Sequence, residues 1–134
     1  TPAADSTTAM MDPAPAMLTA ADIDGKWNGM SMGETSDSVT NRWTTESIDD
    51  THGSLAIEGA TDAIPFTRMF DGDSMVVTSS APYANPGSAM GPKLNFRSVG
   101  RLTNGKLVGT VVNTLADRPD SVVARGRWEA THAP

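Results

Sequence analysis

The sequence predicts an all-β fold, an antiparallel up-and-down barrel of about eight strands, on three observations. From residue 22 onward, short β-branched stretches alternate apolar and polar side chains at a spacing of two. Clusters of Gly, Pro, Asn and Asp separate these stretches at the intervals seen in barrels and sandwiches. No segment sustains the 3.6-residue apolar stripe of an amphipathic helix.

Residues 1–21 stand apart as an extended tail rich in Ala, Thr and Pro, with 22–134 as the barrel domain. Pro2, Pro13 and Pro15 block a regular helix or ladder in the tail. Its apolar anchors are Met10, Met11, Met17 and Leu18, available either to the flank of the barrel or to another protein. Strands are expected near 25–33, 38–47, 53–58, 63–70, 73–80, 94–103, 106–115 and 121–131. Asn104-Gly105 accepts the positive φ of a two-residue type I′ turn, so strands six and seven form a tight hairpin. Asp71-Gly72 marks a second hairpin and 117–120 a third turn. The connection 81–93 is long for a compact domain and holds three prolines and the single tyrosine, which makes it a contact-surface candidate.

Alternation assigns the faces. In strand six Leu94, Phe96, Ser98, Gly100 and Leu102 fall on one side, with Arg97 and Arg101 on the other. In strand eight Val122, Ala124, Gly126, Trp128 and Ala130 oppose Arg125 and Arg127. The arginines therefore belong in solvent or against a partner. Either row of strand seven can be the inner one. The inner rows mix glycine and alanine with Trp27, Trp43, Phe66, Phe96 and Trp128, a small/large alternation from which a filled interior is expected. The same small residues also allow a cavity.

Composition narrows the function. A net charge of −6 argues against general affinity for nucleic acid. The charge is segregated: residues 1–92 carry thirteen acidic side chains against three basic ones, and 93–134 carry three against seven. This builds either a docking dipole or pairs across neighbouring strands. There is no cysteine, hence no disulfide or thiolate site. No apolar run is long enough to span a bilayer as a helix. The run from Thr1 to Ala9 is similar to the spacer downstream of a bacterial signal-peptide or lipoprotein cleavage site, so an extracytoplasmic location, periplasmic or cell-surface, is expected, with a lipid-anchored precursor as one route.

Gly25-Lys26-Trp27 at the first strand resembles the Gly-x-Trp motif that opens lipocalin barrels. The resemblance implies that the tryptophan plugs the closed end beneath an arginine of the last strand, here Arg125 or Arg127. Trp27 and Trp128 are the plug residues on this reading. Gly100-Arg101-Leu102 and Lys106-Leu107-Val108-Gly109-Thr110 resemble small bacterial lipocalin-like domains of unassigned role. The likeness covers roughly residues 22–132 and implies a fold, not a function.

No constellation points to catalysis. Gly72-Asp73-Ser74 resembles the nucleophile block of the GDS-type hydrolases, but no Asp stands at the required position ahead of His132. Asp49, Asp50 and His52 form at most a loose surface cluster, and Met30-Ser31-Met32 and Met10-Met11 read as packing or contact residues rather than a cuprous site. No enzyme activity, cofactor or metal is expected. The sequence supports two functions: first, a non-catalytic accessory subunit docking on a larger, membrane-associated protein assembly through Met10, Met11, Met17, Leu18, Tyr83, Met90, Arg97, Arg101, Arg125 and Arg127; second, a binder of a small apolar ligand inside the barrel, with Asn113 or Ser98 as polar contacts.

Overall fold

The computed structural model of the protein describes residues 17–60, 62–85 and 88–133, without the side chains of 85 and 88–90. A short 3-10 turn (Ala20–Ile23) precedes nine strands: β1 (Lys26–Gly33), β2 (Val39–Ser47), β3 (His52–Ile57), β4 (Ile64–Asp71), β5 (Ser74–Ser79), β6 (Tyr83–Asn85), β7 (Ser88–Thr103), β8 (Lys106–Leu115) and β9 (Arg118–His132). All pairings are antiparallel. Eight strands close on themselves in the order β1-β2-β3-β4-β5-β7-β8-β9, and the ring is sealed where Trp27 of β1 meets His132 of β9.

The turns follow the local chemistry. Asn104 (φ 53°) and Gly105 (φ 80°) both lie in the left-handed region, and Thr103 pairs with Lys106 across them, as a type I′ turn requires. At the β4–β5 hairpin Asp71 pairs with Ser74, so the two turn residues are Gly72 and Asp73, with positive φ at Gly72.

Two expected loops are instead strand. Within 81–93, β6 pairs Tyr83 with Leu94 and Ala84 with Lys93, on the edge of β7 that β5 uses lower down. β5 and β6 are thus one line of pairing interrupted at Ser80-Ala81-Pro82, where proline supplies no N–H to a ladder. Likewise 117–120 is not a four-residue turn. β9 begins at Arg118, and a bulged register lets Leu115 pair with Arg118 and Thr114 with Val122, leaving Pro119 outside the ladder.

The inner faces follow the two-residue alternation. Leu94, Phe96, Ser98 and Gly100 point inward from β7, and Trp128 and Ala130 from β9. On β8 the inner row is the one holding Leu107, Val111 and Asn113.

One end of the barrel is closed by its own lead-in segment. The Leu18 N–H donates to Gly72 O (2.8 Å), carrying the chain across the end, and Asp22 caps the 3-10 turn by accepting from the Thr19 N–H and hydroxyl (2.9 and 3.0 Å). Leu18 (5 % exposed) and Ile23 are buried here with Trp27. Leu18 is therefore not an anchor for a partner. Its apolar surface is used inside the chain's own fold.

Candidate functional site

The interior is not filled. It encloses a cavity of about 520 Å³, walled largely by Trp43, Leu55, Ile57, Phe66, Met75, Val77, Leu94, Phe96, Val111 and Trp128. The bulky aromatics were expected to occupy this volume, and glycine explains why they do not. A Cβ on Gly29 would collide with the Trp43 ring, and one on Gly100 would lie 2.6 Å from Trp128 Cη2. Each indole lies flat in space that a neighbouring side chain would otherwise take, along the wall rather than across the lumen. Their polar atoms are anchored too. Trp43 Nε1 donates to Ser31 Oγ (2.9 Å) and Trp128 Nε1 to Thr110 O (3.1 Å), and the two rings meet edge-on at 5.7 Å.

The closed end is a hydrogen-bonded plug. Trp27 Nε1 donates to Ile23 O (3.1 Å), and its ring meets His132 edge-on. Arg68, 4 % exposed, donates from Nε to Asp50 O (2.9 Å), from Nη1 to Ser47 Oγ (2.9 Å) and from Nη2 to Asp49 O (3.0 Å). Burial pulls its pKa down, against the carboxylates of Asp24, Asp50 and Asp49, which hold it up. The arginine at this end thus comes from β4, not from β9. Arg125 is exposed. Arg127 points outward and holds the 33–37 turn through Gly33 O, Ser36 O and Asp37 Oδ1. The signal for Arg68 was in the sequence, where it shares a phase with Ile64, Phe66 and Phe70 on the inner row of β4.

No family model, curated protein or solved structure matches the chain.

The other end of the cavity is ringed by Gly33, Thr40, Asn41, Pro92, Leu115 and Val123. β6 brings Tyr83 inward there, and its hydroxyl donates to Asn113 Oδ1 while its ring meets Phe96 edge-on. Burial pushes the Tyr83 pKa up to about 12, so it stays a neutral donor. Ser98, on the adjacent strand, is 9 % exposed and faces the same lumen.

The remaining residues singled out by sequence are dispersed. Met17 is exposed, Trp128 is a wall residue away from the plug, Met10 and Met11 lie outside the described residues, and the Met90 side chain is not described. Arg97 and Arg101 are exposed on the outer face of β7. Among the described residues the Ser74 hydroxyl bonds only its neighbour Asp73 (3.3 Å), within a hairpin turn. His52 Nδ1 lies 2.9 Å from Asp49 Oδ1, and this contact, first of all, lowers the Asp49 pKa. Among the described residues no group of three His, Cys, Asp or Glu converges on a metal position, and no helix is long and apolar enough to cross a membrane.

Proposed function

We propose that the chain is a non-catalytic, extracytoplasmic binding protein that holds a small, mainly apolar molecule inside its barrel, in the manner of the lipocalins it resembles. The observation that carries this reading is the cavity itself: about 520 Å³, apolar on most of its wall, plugged at one end and ringed by a mixture of polar and apolar residues at the other. That volume lies in the usual range of small-molecule sites, and a few placed polar groups in an apolar wall are what such sites use to orient a ligand. The test is titration of the full chain with a neutral apolar fluorophore, N-phenyl-1-naphthylamine, alongside Val111→Trp, which sets a bulky ring into the lumen. Saturable binding lost in Val111→Trp supports the reading. Absence of binding to the wild-type chain, or binding unchanged by Val111→Trp, refutes it.

A second reading, docking on a larger protein assembly, is favoured by one row of the outer face. Arg97 on β7, Val112 on β8 and Arg125 on β9 pair side by side across three strands. Both arginines are exposed, and neither forms an ion pair among the described residues. Arginine flanking valine suits a carboxylate-bearing protein surface. Arg97→Glu, on a side chain that does not line the cavity, should then weaken co-purification with a native assembly while leaving fluorophore binding intact.

A further inference from the structure

We propose that the cavity selects uncharged molecules with one polar head, an alcohol, ketone or amide on an apolar body, and that the head is received by Ser98 and Asn113. This rests on the reading of the barrel as a ligand carrier and specifies what it carries.

Ser98 is the first support. It sits on the inner row of β7, with Val77 opposite on β5 and Val111 opposite on β8. It is nine-tenths buried, yet among the described residues its hydroxyl makes no hydrogen bond. A buried hydroxyl without a partner is costly, and native proteins seldom leave one unless something else completes it. The hydroxyl can both donate and accept.

Asn113 is the second. It pairs with Phe96, so on the inner face it is the diagonal neighbour of Ser98, within reach of one ligand oxygen. Tyr83 donates to Asn113 Oδ1, which fixes the orientation of the amide and leaves its Nδ2 hydrogens for the lumen. Ser98 and Asn113 therefore offer neutral hydrogen-bonding groups, donors above all, to a single carbonyl or hydroxyl oxygen.

The charge inventory decides against an ionised head. Arg68 is already committed to Asp49 O, Asp50 O and Ser47 Oγ at the closed end. Tyr83 is held neutral by burial. The other ionisable residues on the wall, Glu46 and Arg125, are exposed to water. A carboxylate drawn in to Ser98 would lose its hydration and meet only neutral donors, which repay that loss poorly.

The test compares 1-decanol with decanoate, which share a tail and differ in charge, by calorimetry on the full chain at pH 7.5, with N-phenyl-1-naphthylamine as a probe of the apolar lumen. Decanol is expected to bind roughly tenfold or more tighter than decanoate, with Ser98→Ala and Asn113→Leu each lowering decanol affinity several-fold and lowering fluorophore affinity less. Decanoate binding as tightly as decanol, or decanol affinity unchanged in both variants, overturns the head-group assignment while the carrier reading stands. If neither the fluorophore nor decanol binds the wild-type chain, the carrier reading fails and this inference with it. The wild-type comparison needs no variant, so poor folding of either substitution does not blur the result.

Discussion

At the scale of single residues, the hollow barrel depends on glycine. Gly100 and Gly109 face each other across β7 and β8, and the Trp128 ring occupies the space above both. At Gly109 the obstacle includes the Val99 carbonyl, which cannot rotate away as a side chain can. Gly109→Ala should therefore destabilise the fold by roughly 1–3 kcal/mol in urea denaturation, the usual cost of overpacking. Arg68→Met should cost about 2–3 kcal/mol, because the Asp49 and Asp50 carbonyls and the Ser47 hydroxyl each lose a charged donor. Tyr83 is directly readable, being the only tyrosine. Its ordinary pKa of 10.0 rises to about 12 in the fold, so the folded state favours the neutral phenol. The associated stability is present below pH 10 and lost as pH climbs towards 12. Absorbance titration of the phenolate should place its midpoint near 12 in the folded chain and near 10 in denaturant. A folded-state midpoint near 10 would show that the Tyr83 ring is not buried.

At the scale of elements, legibility followed locality. The Asn104-Gly105 hairpin could be read from two adjacent residues because type I′ geometry is a demand on those residues alone. Replacing Gly105, at φ 80°, by Ala should cost roughly 1 kcal/mol and lower the thermal midpoint with the fold intact. The alternation was equally legible on β7 from Leu94 to Gly100 and on β9 from Gly126 to Ala130, where one face lies in the core, whereas the bulged register leaves Val122, read as inward, exposed. Strand β6 was not. Its three residues pair only because β7 extends past the end of β5 and offers an edge, and nothing within 83–85 encodes that length. The start of β9 was hidden for a related reason: Pro119 reads as a stop, and only a bulge set by the partner strand carries the ladder past it.

At the scale of the whole molecule, the sequence listed the ingredients of the interior without their arrangement. Glycines and tryptophans on the inner rows are compatible with a collapsed core and with a lined cavity, and the outcome turns on how each indole lies against the strand beside it. If the cavity is a binding site, occupancy must show as stability. A ligand at about a hundred times its Kd adds about 2.7 kcal/mol to unfolding, which should appear as a clear upward shift in thermal midpoint with decanol and little with decanoate.

The ring order carries one more consequence, for how the chain reaches this form. Most neighbours in the barrel are joined by short turns, but β1 and β9 pair from opposite ends of the domain, Trp27 against His132. Such distant contacts form late, because loop closure must come before they repay it. Until that seam shuts, both of its edges and the apolar wall behind them stand open to other molecules. Refolding should thus be slow and its yield should fall with concentration, with strand-exchanged dimers joined through β1 and β9 as the characteristic by-product.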